Sequence, residues 1–589
     1  MHQNDDFYFD RNFLKASVHL LHHFFPRRDY RAFFLIILTL LLSIMAEVAI
    51  YFIGMVPGRF FYVLLKIEKD KFLEIIWIAS LIYFGKSVIV ALTSFSTSLL
   101  YLTFRKNITN SIHKRYFKGI TTYKLLNNSF EKIDNPDQRI TQDVERMCKN
   151  LAEKILPPAL ICPFIIGYYS YQTYKTASIY GCCVIYTYFI VGTIVNKILI
   201  NPLAKYTARV EKAEGNYRYK HVSIRDNCEQ ISLYRGQYFE KIQAGYIFEK
   251  LIKIQLIHCL WKIPNLIWKN FFDNTGGILG YALQYIPFFY FQDYGDMDPE
   301  ILAQVISNNA FVYMYLINSF TRLTDIAIVF GDTAGILQRV EQLLSVCKNM
   351  KDNEYTKILP YNEEDENVSY VFRNVSLMTQ YGQPILKHFS FTLKNGENLL
   401  INGVSGTGKT SLLRMLIGIW KNNCGEIFCN FNIDDIEIIP QNSYLPVGHL
   451  SLYQQLLFPS IFDNDSPDIS QKEKQFYELF HDLNLMTTIK RINYITENPD
   501  FEFINHLTPG EVQRLVFIRA IIKEPKLVIL DESTNAVGVA MEEKMYEILN
   551  KKGIQYISVG HRDTLRQYHN TCLTLTGCGD YELDVIEKN

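Results

Sequence analysis

Gly403-Val404-Ser405-Gly406-Thr407-Gly408-Lys409-Thr410 lies between the apolar run 399–401 and a helical pattern that opens at Ser411. Its G-x-x-x-x-G-K-[ST] spacing suits phosphate binding. The glycines let backbone N–H groups curl around phosphate oxygens, Lys409 neutralises the β- and γ-phosphates, and the Thr410 hydroxyl is a ligand for Mg2+. Further on, the run 527–530 ends in Asp531-Glu532. At the carboxyl end of a buried strand, Asp531 is placed to hold Mg2+ through water and Glu532 to polarise the water that attacks a γ-phosphate. The run 555–559 ends in Gly560-His561, where an imidazole can reach the same phosphate. Taken alone, His561 reads as structural.

These groups meet only if strands deliver them side by side. Residues 527–530 form the short continuous apolar run of a fully buried parallel strand. The runs 368–377, 390–393 and 398–402 lead as strands into the glycine loop. The C-terminal part, 368–589, is therefore expected to be an α/β domain. Before it, 348–367 is polar and charged without periodicity, as a domain linker is.

The first part, 1–347, has a different character. Six apolar stretches are expected to cross a membrane, at about 33–56, 73–103, 155–174, 178–200, 274–291 and 301–330. The fifth and sixth are diluted by Asp273, Asn308, Asn309 and Asp325, and a buried core helix is the alternative for them. No charged-then-apolar leader with a cleavage site opens the chain, so the first stretch is expected to be retained. Lys and Arg cluster before the first stretch, after the second (Arg105, Lys106, Lys114, Arg115) and after the fourth (Lys205, Arg209, Lys212, Arg218), which puts these segments and the C-terminal part in the cytosol. Sequons at Asn107, Asn127, Asn367, Asn374 and Asn464 then face the cytosol and read as chance matches. The two long cytosolic connections are helical in pattern, so the spans are expected to continue beyond the bilayer. Glu47 and Lys86 are the conspicuous charges inside the spans, and they read either as a cavity-lining or paired set or as a structural pair.

Composition agrees with this division. The 589 residues exceed one domain, 48% are hydrophobic, and Lys+Arg equals Asp+Glu at 60 each, so no global charge points to nucleic acid. The 11 cysteines are scattered without C-x-x-C, which excludes a zinc module and suggests reduced thiols.

In order and spacing, residues 403–410, Pro440-Gln441, Leu507-Thr508-Pro509-Gly510-Glu511, 527–532 and His561 resemble the Walker A, glutamine loop, signature, Walker B and switch histidine of an ATP-binding cassette. The resemblance implies a multidomain protein: a six-helix transmembrane domain of exporter type with long cytosolic extensions, then an α/β P-loop cassette. It implies ATP and Mg2+ as cofactors. Glu532, His561 and Gln441 would be catalytic, Thr410, Gln441 and Asp531 would hold the metal, and residues 403–410 with Ser411 would hold ATP. Thr508, Gly510 and Glu511, at a helix N-terminus, would complete the ATP site of the other subunit. One set of motifs implies a half-transporter that works as a dimer with a second copy.

The signature with Gln513-Arg514 following, Val447-Gly448-His449-Leu450 and the run 556–562 resemble subfamily D, best known for peroxisomal half-transporters. Within it, the short lead before the first span, Asn135 to Arg146, residues 192–197 and 309–312 are similar to the lysosomal, cobalamin-carrying branch. That branch implies ATP-driven export of cobalamin from lysosomal lumen to cytosol beside an unrelated multispan lysosomal membrane protein. A peroxisomal carrier of fatty acyl-CoA and an ATP-binding trafficking or regulatory protein without transport are the alternatives, with peroxisome or endoplasmic reticulum as alternative locations. Asn135, Asp137 and Arg139 look like the family's first cytosolic coupling segment, and Glu214, Gly215 and Arg218 like its second.

Three departures stand out. Thr508 replaces a usual serine and keeps the hydroxyl, Pro509 removes a backbone donor but is typical of this subfamily, and Gly538 stands where many cassettes carry an Asp. Tyr381 is the candidate to stack on adenine, with Tyr370 and Phe372 as fallbacks.

Overall fold

The computed structural model describes residues 19–26, 30–127, 133, 135–291, 297–350, 358–360, 367–379, 382–421, 423–460, 467–492, 495, 497–577 and 579–586. The chain divides into two compact units, Met1–Phe117 with Thr122–Met350 and Lys118–Thr121 with Lys351–Asn589.

In the first unit the long apolar segments form five principal helices, α1 (Arg31–Leu65), α2 (Lys69–Tyr116), α3 (Leu156–Asp226), α4 (Gln237–Ala282) and α5 (Pro299–Asn349). The 48 residues of α2 measure about 72 Å, more than twice a hydrocarbon core of about 30 Å. Among the described residues three helical stretches, Arg31–Leu65, Lys69–Tyr116 and Pro136–Asp226, are long and apolar enough to cross a membrane by length and composition. The expected spans 155–174 and 178–200 both lie on α3, whose helical course breaks at Ser178 (φ 55°, ψ −164°). There the chain folds back on itself: Ser170 Oγ lies 3.0 Å from Tyr186 Oη, and Cys182 Sγ reaches the Ser170 carbonyl at 3.5 Å. The expected span 274–291 covers the end of α4 and the wide helical turn Ile286–Tyr290.

Helix α1 packs on α2 and α5, and α3 packs on α4 and α5. Glu47, Gly54 and Gly58 are spaced i, i+7, i+11 and share one face of α1. Side chains at the two glycines would run into Phe311 and Asn308 of α5, so the absence of Cβ atoms lets these helices approach closely. That contact decides the partner of Glu47. Its carboxylate accepts from Tyr315 Oη and, at 3.0 Å, from Arg322 Nη1, both on α5. The expected pairing with Lys86 is therefore corrected: the cation is Arg322, because the glycine face of α1 turns Glu47 toward α5 and not toward Lys86 on α2.

The second unit holds two sheets built from β1 (Leu359–Pro360), β2 (Val368–Met378), β3 (Pro384–Lys394), β4 (Leu399–Gly403), β5 (Cys424–Cys429), β6 (Ile436–Ile439), β7 (Leu527–Asp531), β8 (Gln555–Val559), β9 (Thr571–Gly577) and β10 (Asp580–Val585). The smaller sheet runs β1-β5-β2-β3 and the larger β10-β9-β4-β8-β7-β6. In the larger sheet β9, β4, β8, β7 and β6 are parallel neighbours, and only β10 is antiparallel. Every residue of β7 and β8 is buried, as expected of central strands covered on both faces. Helices α6 (Lys409–Leu416), α7 (Pro509–Ile522) and α8 (Val539–Lys551) complete the parts that concern the site. Helix α7 buries every residue from Glu511 to Ile522 except Arg514, because it sits inside the apolar core with Phe476, Phe480 and Val528.

Candidate functional site

The order β4-β8-β7-β6 places four carboxyl ends in a row. β4 leads to the glycine loop, β8 to His561, β7 to Asp531 and Glu532, and β6 to Gln441. Ligands of open parallel sheets sit at such ends.

In the glycine loop Gly403, Gly406 and Gly408 have φ of 144°, 90° and 99°, values that side chains rarely adopt. At Gly408 a Cβ would also strike Ile385 of β3. Val404, Ser405 and Gly406 are exposed, and Thr407 Oγ1 closes the turn on the Val404 carbonyl at 2.9 Å. Lys409 opens α6 yet is buried, its ammonium donating to the carbonyls of Gly403 (2.9 Å) and Val404 (3.1 Å). Burial pushes its pKa down, against the opposing pull of Glu532 and Asp531. An ammonium held only by carbonyls on a glycine-rich helix start fits a polyphosphate. At its other end α6 is closed by Gly418 and Trp420, whose N–H groups reach the Met415 carbonyl at 3.0 Å and the Arg414 carbonyl at 3.0 Å, and the Arg414 guanidinium lies 5.4 Å over the Trp420 ring.

Asp531 is buried, and burial followed by the neighbouring Glu532 raises its pKa against Arg414, the Thr410 hydroxyl and Lys409. Its Oδ1 has no hydrogen-bond partner among the described residues. A buried carboxylate with an orphaned oxygen, with the Thr410 hydroxyl bearing on it, supplies the hard oxygen donors that Mg2+ takes. Glu532 has φ 47° and its N–H donates to the Val559 carbonyl at 3.0 Å, tying β7 to β8 at the point where the carboxylate leaves the sheet. That carboxylate accepts from Gln441 Nε2 at 2.9 Å and Asn535 Nδ2 at 3.0 Å, with His561 Nε2 at 3.4 Å. Gln441 and His561, more than a hundred residues apart in sequence, thus both meet the Glu532 carboxylate.

The segment 507–511 forms the start of α7 with Thr508 as N-cap, Pro509 in the first turn and a complete capping box. The Thr508 N–H donates to Glu511 Oε2 at 2.8 Å, and the Glu511 N–H to Thr508 Oγ1 at 3.4 Å. Thr488 Oγ1 (2.6 Å) and Arg491 Nη2 (3.2 Å) donate to Glu511 Oε1. Burial alone would raise the carboxyl of Glu511. These donors outweigh it and hold the pKa down at about 2. Gly510 leaves room for the Ala536 carbonyl, which a Cβ would approach to 2.8 Å.

Arg139 is buried and donates to the Arg339 carbonyl (3.0 Å) and Gln342 Oε1 (2.8 Å) on α5, so it anchors the first segment within its own unit. Asn135, with φ 42°, and Asp137 stay exposed beside it. Glu214, Gly215 and Arg218 are exposed along α3, which continues to Asp226. The chain turns at Cys228–Leu233 and Arg235 (φ 54°), which leaves Leu233 and Tyr234 exposed at the tip. Tyr381 lies outside the described residues, and Tyr370 and Phe372 are buried in the core of the cassette unit, where neither is offered to a base. Sequence reasoning missed Asn535, Thr488 and Arg491. Only Asn535, three residues after Glu532, carries a positional hint.

Comparison with known proteins agrees with this architecture. Residues 20–289 match the family described as ABC transporter transmembrane region 2, and residues 386–535 match ABC transporter. The chain is 32% identical to the lysosomal cobalamin transporter of Homo sapiens, covering 98% of this chain and 96% of that protein. It is 26% identical to ABC transporter D family member 3 of Dictyostelium discoideum, over 86% of this chain and 80% of that one. In fold it is similar to a bacterial Atm1-family ABC exporter with ATP bound (TM-score 0.74, 16% identity, 94% and 96% of the two chains).

Proposed function

This chain belongs to the ATP-binding cassette transporters of subfamily D, and from that premise we propose a homodimeric half-transporter that moves cobalamin from the lysosomal lumen to the cytosol. Its membrane domain would occupy 1–347 and its nucleotide-binding domain 368–589, joined by the linker 348–367. The 32% identity to the lysosomal cobalamin transporter, sustained over nearly all of both chains, carries the choice of cargo and organelle. The single set of cassette motifs supports the dimer, as do the exposed apolar side chains of the cytosolic hairpin, among them Leu233, Tyr234, Tyr238 and Phe239. A multispan lysosomal membrane partner belongs to the same reading.

In this reading Lys409 and the loop 403–408 hold the phosphates of ATP, and Glu532 orients the attacking water and takes its proton. Gln441, Asn535 and His561 fix the Glu532 carboxylate so that it need not reorganise during reaction. Thr410 and Asp531, with Gln441 beside them, are the residues to hold Mg2+, which when bound neutralises charge on the transferring phosphoryl group. Thr508 and Gly510 face the ATP held by the second copy. Asn135, Asp137, Glu214, Gly215 and Arg218 pass the resulting movement to the membrane helices.

The test is transport in proteoliposomes preloaded with labelled cyanocobalamin or labelled palmitoyl-CoA, with ATP supplied on the cassette side. ATP-dependent release of cobalamin is expected, absent in Glu532→Gln. Release of acyl-CoA alone refutes the cargo and the organelle. ATP-dependent release of neither refutes transport and leaves a nucleotide-binding membrane protein.

A further inference from the structure

Gly538 offers no carboxylate, and the segment it closes is held from another direction. Arg562, the residue after His561, donates from Nη2 to the Asn535 carbonyl at 3.0 Å and from Nη1 to the Val537 carbonyl at 3.2 Å. The same Nη1 meets Glu542 Oε2 at 3.1 Å. Glu542, 0% exposed on α8, uses its other oxygen to accept from Thr564 Oγ1 at 2.7 Å. One buried carboxylate therefore grips both Arg562 and Thr564 of the His561 loop, while the guanidinium grips the backbone of 533–538.

Both arms touch Glu532, as Gln441 does from β6. Asn535 donates to Glu532 Oε2, and His561 approaches Oε1. We propose that Arg562, anchored by Glu542, is a positioning residue that locks the His561 loop to the segment 533–538, so that the Glu532 carboxylate is held from both sides for attack on the γ-phosphate. Resting on the ATP-hydrolysing reading above, this makes the tether a property of one cassette and independent of an Asp at position 538. The chemistry demands arginine. A planar fork reaches two carbonyls and a carboxylate at once, whereas an ammonium neutralises Glu542 without spanning both carbonyls.

That difference separates positioning from simple structure. In full-length protein in liposomes, Arg562→Lys keeps the countercharge for Glu542, and the double variant Arg562→Met with Glu542→Leu removes both charges and leaves none unpaired. Both are expected to retain the wild-type unfolding temperature and a KM for ATP within about twofold, while kcat falls about tenfold to hundredfold, the scale of a catalytic group displaced by about an ångström. Wild-type kcat in either variant overturns the proposal. So does a fall in kcat that tracks a fall in unfolding temperature. Glu532→Gln serves as the control: if it hydrolyses ATP as fast as wild type, the hydrolytic reading fails and the tether falls with it. If it is inactive and Arg562→Lys is fully active, the tether alone fails.

Discussion

Replacing Glu511 by Gln removes one negative charge from the start of α7 and leaves the side chain's shape. In the folded protein the carboxylate accepts from the Thr508 N–H and hydroxyl, Thr488 and Arg491. Its pKa falls from the ordinary 4.5 to about 2. At about 1.4 kcal/mol for each tenfold shift in the proton equilibrium, the ionised form contributes at most about 3.5 kcal/mol. Glutamine keeps one neutral acceptor for the Thr508 N–H, so a loss of about 1–3 kcal/mol is expected, the range for charge-assisted hydrogen bonds. For a unit of about 200 residues that lowers the unfolding temperature by roughly 2–12 °C. The sign of the pH dependence follows from a folded pKa below the unfolded one: the stabilisation is complete above pH 4.5 and drains away as the pH falls toward 2. Thermal unfolding of purified wild-type and Glu511→Gln protein, followed by fluorescence from pH 7 down to pH 3, should show a gap that is widest at neutral pH and narrows below about pH 4.5. A gap of constant size at every pH, or none at pH 7, refutes the reasoning.

Three further outcomes are expected. Gly408→Ala, which forces a side chain into φ 99° and against Ile385, should weaken ATP binding at least about tenfold in a fluorescent-nucleotide titration. Glu532→Gln should retain ATP while lowering phosphate release by about 10²–10⁴-fold. Arg322→Ala, which strips the partner from Glu47, should destabilise the detergent-solubilised protein by about 1–3 kcal/mol, whereas Lys86→Ala should leave its melting curve nearly unchanged.

Legibility in the sequence depended on how local each feature is. The glycine loop is contiguous, and its glycines and lysine declare their conformation and charge directly. The strand ending in Asp531 is readable because a continuous apolar run of that length, followed by acidic residues, fits a covered parallel strand. Which ends lie side by side is a matter of strand order, so the choice of Gln441 as a site residue came from the family resemblance and its contact with Glu532 only from the structure. Arg322 was invisible as the partner of Glu47 because 275 residues separate them and only the Gly54 and Gly58 face of α1 decides which helix comes close. The turn after Asp226 was not legible, because Gly215, a helix-weakening residue, sits within an uninterrupted helix.

Arg414 stands between two groups that report on each other. Its charge bears on Asp531, and its guanidinium lies over the indole of Trp420. The chain has 4 tryptophans, and the others, Trp77, Trp261 and Trp268, all belong to the membrane unit. The cassette thus contains a single tryptophan, stacked against the cation whose charge bears on Asp531. With Trp77, Trp261 and Trp268 replaced by Phe, its emission should report ligand binding at the glycine loop.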